Sequence, residues 1–367
     1  MKQSTAGFQL CTLIKKQVRS ATLNPWQSAN RQSVPLLIAI ISALFAASER
    51  LTASELPAQN PPFVTRNEFG QPDMQGYWSF AALTPLQRPE NMADKAFMTR
   101  EEATAFEQNV LNNRAASFER EPNGLDIGYN DFWDEWGDSV GDNLRTSIIV
   151  SPANGRIPAL SEGAVLQRSS PSDDVLSERP ARFLLGGISK DNPEDRGLSE
   201  RCLVGFNTGP PMLPSKYNNN MQLLQFSDHV VVVTEMIHDA RIVPLDGRPH
   251  MHPAITQWAG NSRGHWEGDT LVIKTRNFTD KIASLSQPYA AWGSAKDMQL
   301  EERFSLNENG SLVYEFTIND PATFVEPIKG IMHMRRSPDR VYEYACHEGN
   351  YAMPGIMAGA RRAESGQ

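Results

Sequence analysis

The sequence predicts a mainly β fold, an antiparallel up-and-down barrel with a helix-and-loop insertion. Two observations predict it. From Met221 to His347 short apolar runs alternate with tight-turn sequences, the pattern of a meander. No 20- to 50-residue repeat is present, which disfavours a propeller or solenoid, and eight or more meandering strands favour an up-and-down barrel over a Greek-key sandwich. A length of 367 residues with 40% hydrophobic composition supports a substantial core.

Residues 1–48 read as an export signal. They contain Lys2, Lys15, Lys16, Arg19 and Arg31 and no acid, followed by an apolar run from Val34 to Ala47 and small residues at Ala46-Ala47-Ser48. The run is shorter than the roughly 20 residues a spanning helix needs, so a cleaved signal is preferred to an anchor and no stable membrane span is expected afterwards. Residues 49–72, rich in Pro, Asn and Gln, read as a linker or arm, and residues 73–353 as a single β-barrel domain with an insertion at 84–200. Residues 354–367 read as a flexible tail.

Structure is expected to begin at Gly76-Tyr77-Trp78. Thr99-Arg-Glu-Glu102 has capping-box spacing and leads into Ala103, Phe106, Val110 and Leu111, which predicts a helix to about Phe118. The acidic, aromatic stretch 126–142 is expected to form an ordered loop. Leu144–Val150 and Arg156–Leu160, joined through Asn154-Gly155, are expected to form a hairpin, because Asn-Gly supplies positive φ. The meander then has expected strands at 221–226, 229–235, 237–245, 264–266, 270–276, 299–306, 312–318, 328–336 and 341–346.

Charge and cysteine usage narrow the function. Loss of the signal takes the 35 basic and 43 acidic residues to 30 and 43, a net charge of about −13. Such a surface repels phosphate backbones, and nucleic acid is not an expected partner. Cys11 leaves with the signal, so Cys202 and Cys346 stand either as a disulfide in an oxidising periplasmic or extracellular setting or as two buried thiols.

Gly76-Tyr77-Trp78 is similar to the Gly-x-Trp that opens lipocalins, where the Trp plugs the closed end of the barrel. Glu235-Met-Ile-His238-Asp239-Ala-Arg241, Gly264-His-Trp266-Glu267-Gly268-Asp269-Thr270, Glu302-Arg303-Phe304 and Cys346-His347-Glu348-x-Asn350 together resemble a family of exported bacterial proteins of unassigned function. The resemblance implies a secreted barrel-like domain and no particular chemistry.

Strand parity supplies candidate site residues. In 299–306, Leu300, Phe304 and Leu306 share a face with Glu302, so Glu302 is expected to point inward, where a carboxylate needs a partner or takes a raised pKa. In 231–245, Glu235, Asp239 and Arg241 share one parity with Val231, Val233, Ile237 and Val243, which makes Arg241 a natural partner for Glu302 or Glu235. Asn277 is expected at the polar end of the lumen. His347 is a candidate base, and Tyr129, Trp133 and Trp136 are candidate ligand contacts in a loop that lids the barrel. Gly260-Asn-Ser262-Arg-Gly264 has the esterase pattern Gly-x-Ser-x-Gly, but a strand follows where a helix is needed. His238, His250 and His252 lack diagnostic ligand spacing, so no metal is assigned, and no phosphate loop or dinucleotide fingerprint points to a cofactor.

The expected function is binding of a small apolar or aromatic molecule in the lumen, with Arg241 and Asn277 as polar anchors. The alternative is a cofactor-independent isomerase, lyase or hydrolase in the same pocket, with Glu302 or His347 moving a proton and Arg241 stabilising negative charge. The sequence leaves oligomeric state and substrate open.

Overall fold

The chain alternates short strands with tight turns, and the two α-helices among the described residues stand apart from that run. A computed structural model describes residues 65–118, 135–169 and 181–366. The expected signal, most of the expected arm, and Tyr129 and Trp133 lie outside the described residues. In chain order the elements are β1 (Gly76–Ser79), α1 (Arg100–Phe118), β2 (Ile149–Ser151), β3 (Leu166–Arg168), β4 (Asn220–Gln225), β5 (His229–Thr234), β6 (Ala240–Pro244), β7 (Asn261–Glu267), β8 (Thr270–Arg276), β9 (Leu285–Gln287), β10 (Ala290–Trp292), β11 (Gln299–Leu306), β12 (Leu312–Asn319), β13 (Ile328–Arg336) and α2 (Ala352–Glu364).

Nine of these strands form an almost closed antiparallel barrel in the order β6-β5-β4-β1-β13-β12-β11-β8-β7, and β2 continues the wall along the start of β13. Every hydrogen-bonded neighbour is antiparallel. An odd number of alternating staves leaves the two end strands, β6 and β7, running in the same direction. They are joined by the segment 245–260 and lie against each other without a ladder. At this seam β7 presents Gly264, where a Cβ would come 2.7 Å from Leu245 Cδ2 and 3.0 Å from Val243 Cγ1. Glycine is what lets the two backbones approach.

The barrel interior is a packed core. Trp78, Leu223, Val232, Leu271, Phe304, Phe316 and Met334 are fully buried and come from seven different staves. The Trp78 indole N–H donates to the Met74 carbonyl at 2.8 Å, and the Arg336 guanidinium lies 4.5 Å from the ring centre. Gly330 on β13 faces Phe316 on β12, and an added Cβ would meet the ring at 2.2 Å. The aromatic ring thus covers a strand glycine that has no side chain to pack.

The predicted α1 begins with the expected capping box: the Glu102 N–H donates to Thr99 Oγ1 at 3.2 Å and the Thr99 N–H to Glu102 Oε2 at 2.8 Å. Ala103, Phe106 and Val110 pack with Leu83, Met98 and Val140 in a cluster of their own. A second, three-stranded sheet (β3-β10-β9) was not foreseen, since three-residue strands leave no periodicity to read.

Several expectations need correction. The Asn154-Gly155 turn forms, with Gly155 at φ +69°, yet its flanks part: Ile149–Ser151 pairs with β13, and of 156–160 only Leu160 bridges, to Phe324. Residues 341–346 form no strand, and the expected tail is largely the helix α2. Cys202 and Cys346 do form the disulfide, with Cα atoms 5.9 Å apart across 144 residues of sequence. Around it pack Met236, Ile237, Tyr217 and Tyr344.

Two predictions test this description. Gly330→Val drives a branched side chain into the Phe316 ring and is expected to lower unfolding stability by about 1–3 kcal/mol in urea titrations, the usual cost of overpacking. Cys202→Ser with Cys346→Ser is expected to cost about 4–5 kcal/mol by the chain-entropy argument, and reduction of the unsubstituted protein with dithiothreitol should produce the same loss.

Candidate functional site

Glu302, at the middle of β11, points inward between Leu300 and Phe304 as parity predicts, and is wholly buried. Its carboxylate accepts a two-pronged contact from Arg241 on β6: Nη1 to Oε2 at 2.6 Å and Nη2 to Oε1 at 3.0 Å. The Tyr314 hydroxyl on β12 donates to Oε1 at 2.8 Å and itself accepts the Met212 N–H at 3.1 Å. Both charges are thereby matched, as buried charges must be. Burial alone would lower the Arg241 pKa, but the Glu302 charge and its hydrogen bonds outweigh this and hold it above the ordinary value. Burial, reinforced by Glu302, pushes the Tyr314 hydroxyl well above its usual range, so it stays a donor.

The trio spans the seam. Arg241 belongs to one edge strand of the open wall and Glu302 to the third strand in from the other edge, so the pair ties the halves through the interior where no ladder joins them.

Arg241 points inward for a different reason from the one parity suggests. On β5 the inward residues are Val230, Val232 and Thr234, while Val231 and Val233 face outward. A single 3-10 turn at Met236–His238, with Ile237 at φ +64° and His238 at φ +46°, then shifts the phase, so that β6 turns Arg241 and Val243 inward and leaves Ala240 and Ile242 exposed. Asp239, assigned to the inner face, is exposed.

The other sequence candidates lie elsewhere. Glu235 is buried at the end of β5, with Oε1 accepting from Asn218 Nδ2 and Oε2 buried without a partner. It does not meet Arg241 or Glu302. Asn277 sits in the left-handed region just after β8, and its Nδ2 reaches the carbonyls of Met251, His252 and Ile255 at 3.0–3.1 Å, stapling the 251–255 loop instead of lining the lumen. His347 is exposed in the turn after the disulfide, apart from the buried trio. Ser262 lies within β7, buried, bonded to Thr275 Oγ1 at 2.9 Å, which is no nucleophile elbow. His250 Nδ1 contacts the Asn261 carbonyl at 2.9 Å, and His252 Nδ1 accepts the Ala254 N–H at 3.2 Å.

A cleft of about 970 Å³ opens beside the barrel. Its floor is apolar: Ile148 belongs to the main core, and Leu86 and Leu213 pack onto it. Trp136, Phe206, Tyr217 and Tyr289 supply aromatic walls, and Phe206 and Tyr217 meet edge to face with centroids 5.2 Å apart. Trp136 is held in place through its neighbour. The Glu135 N–H donates to the Lys216 carbonyl at 2.7 Å, the Glu135 carbonyl accepts from Asn219 Nδ2 at 3.0 Å, and Glu135 Oε2 accepts the Asn218 N–H at 2.8 Å. Two further cavities, about 50 and 40 Å³, are of water size.

Of the sequence candidates among the described residues, only Trp136 lines this cleft. The lining comes from separate segments between 82 and 289, of which only Val110 and Arg114 on α1 belong to a periodic stretch, and the other legible signal was the cluster of aromatics in the insertion. Comparison with protein-family models, with curated proteins and with solved structures finds no match.

Glu302→Gln leaves Arg241 buried without its counter-charge and is expected to cost about 3–5 kcal/mol, whereas the triple change Arg241→Met, Glu302→Leu, Tyr314→Phe should cost less; chemical denaturation decides. Because the folded Tyr314 pKa lies above its unfolded value, that stabilisation is complete below about pH 10 and declines as pH rises through the folded pKa. Tyr314→Phe should flatten the alkaline side of the stability–pH curve.

Proposed function

We propose that this is an exported barrel protein that binds a small apolar or aromatic molecule, and that the ligand lies in the cleft beside the barrel, not in its lumen. One observation supports the reading above the others: an apolar, aromatic-walled space of about 970 Å³, the upper end of the usual range for small-molecule sites, with its tryptophan fixed by a three-bond clamp. The resemblance to an exported family and to the lipocalin opening agrees with a carrier or sensor of small molecules. The lumen is the poorer site, since large side chains fill it around Glu302. In this reading Glu302, Arg241 and Tyr314 act as a clasp and not as proton-transfer groups: the carboxylate is enclosed and already bonded three times, and His347 stands outside on the surface.

Titration calorimetry with 2-naphthylmethanol, a neutral two-ring probe, tests the assignment. The expected result is micromolar binding that weakens at least tenfold in Trp136→Ala with unchanged thermal stability, while Tyr314→Phe binds as the parent does. Binding unaffected by Trp136→Ala, or lost in Tyr314→Phe despite a folded protein, would return the ligand to the lumen.

A further inference from the structure

Two aromatic walls of the cleft stand on the disulfide. Phe206 and Tyr217 line the cleft, and both also pack into the small apolar cluster that has Cys202 and Met236 buried at its centre. The same two rings meet edge to face, so a change behind one is felt by the other. Asn207 Nδ2 donates to the carbonyls of Tyr217 and Asn218 at 3.0 and 2.8 Å, which fixes the backbone of this wall. What backs the rings is the cluster.

Tyr344 and Cys346 cover that cluster from the far end of the chain. They belong to the segment 338–351, which follows the last stave and contains no strand. Its backbone bonds are local turns, with the Cys346 N–H donated to the Tyr344 carbonyl at 2.8 Å and the Gly349 N–H to the Ala345 carbonyl at 3.0 Å. The segment is fastened beside Cys202 by the disulfide, and Asn350 Nδ2 donates to the Glu200 carbonyl at 2.7 Å. A lone hydrogen bond between neutral groups adds little net hold, so the covalent link is the main tether. Without it the segment can leave, and the cluster behind Phe206 and Tyr217 loses its cover.

We infer that the Cys202–Cys346 disulfide is a redox switch on the cleft: oxidised, it keeps the cluster closed and the two rings in order; reduced, it releases segment 338–351 and loosens the wall. Reduction by a dithiol moves two electrons and two protons. The S–S bond breaks, Cys202 and Cys346 become thiols, and the dithiol closes to its own disulfide. Cys346 is half-buried between exposed Ala345 and His347, which gives a small dithiol a way in. The inference rests on the cleft being the ligand site. It adds a positioning role for a bond that touches no ligand, and a condition under which the site works.

Calorimetry with 2-naphthylmethanol on the full chain, before and after reduction with dithiothreitol, reads the switch. A ligand that must itself order two rings binds roughly tenfold more weakly than one that finds them ordered, and this is the loss expected on reduction. Reoxidation should restore the affinity. Tyr344→Ala, with the disulfide intact, should weaken binding by a similar factor, while Tyr344→Phe, which keeps the ring, should bind as the oxidised parent does. Glu302→Gln, destabilised through the barrel interior, should also bind as the parent does. Unchanged affinity in Tyr344→Ala overturns the inference even where reduction unfolds the protein, as does a reduced, folded protein that binds like the oxidised one. An equal loss in Glu302→Gln overturns it too, since the effect would then be one of stability. If the oxidised protein fails to bind, or Trp136→Ala leaves its binding unaffected, the cleft assignment falls and this inference with it.

Discussion

The Arg241–Glu302 pair, backed by Tyr314, is the interaction on which the barrel's closure depends. Nine alternating strands cannot close with an antiparallel ladder, because the first and last run the same way. A parallel ladder between β6 and β7 is absent, so the seam relies on side chains. Gly264 lets the strands touch, and the ion pair reaches through the interior from one edge to the far side of the gap. Moving two charges out of water costs several kcal/mol for each, so the pair adds little net stability over an apolar cluster of equal volume. What an apolar cluster lacks is direction. A forked guanidinium meeting a carboxylate in one geometry fixes how far β6 slides and how near it stands, which van der Waals packing alone leaves loose.

Much of this was legible in the sequence. Alternation placed Glu302 on the inner face of β11 with its apolar neighbours, and a buried carboxylate called for a cation, which pointed to Arg241. Cys202 and Cys346, the two cysteines that lie outside the expected signal, pair in the structure. The phase change between β5 and β6 was not legible. It depends on Ile237 and His238 adopting positive φ, and a β-branched residue gives no hint that it will do so. Asn277 misled for the opposite reason: parity continued past the end of β8, where the backbone had already turned left-handed and aimed the amide at loop carbonyls.

The cleft illustrates a different limit. Strand parity describes what faces a barrel's inside and outside, but a site built on the outside from the insertion, the 205–217 segment and the β9–β10 turn has no period. Its residues come together because each segment packs onto the same core: Ile148, Leu86 and Leu213 rest on the barrel, and the Glu135 clamp closes the remaining side. The division of labour is a common one, with a filled scaffold below and the proposed binding surface assembled from connections above.

The disulfide also has a meaning in time. Its first cysteine precedes β4 and its second follows β13, so every one of the ten strands from β4 to β13 is made between them. On a chain that emerges from its amino end, Cys202 waits as a thiol while the wall is laid down, and its partner arrives only after the last stave. The bond to Cys346 can therefore form only once all ten strands have been made, and an earlier oxidation of Cys202 could join it only to some other thiol.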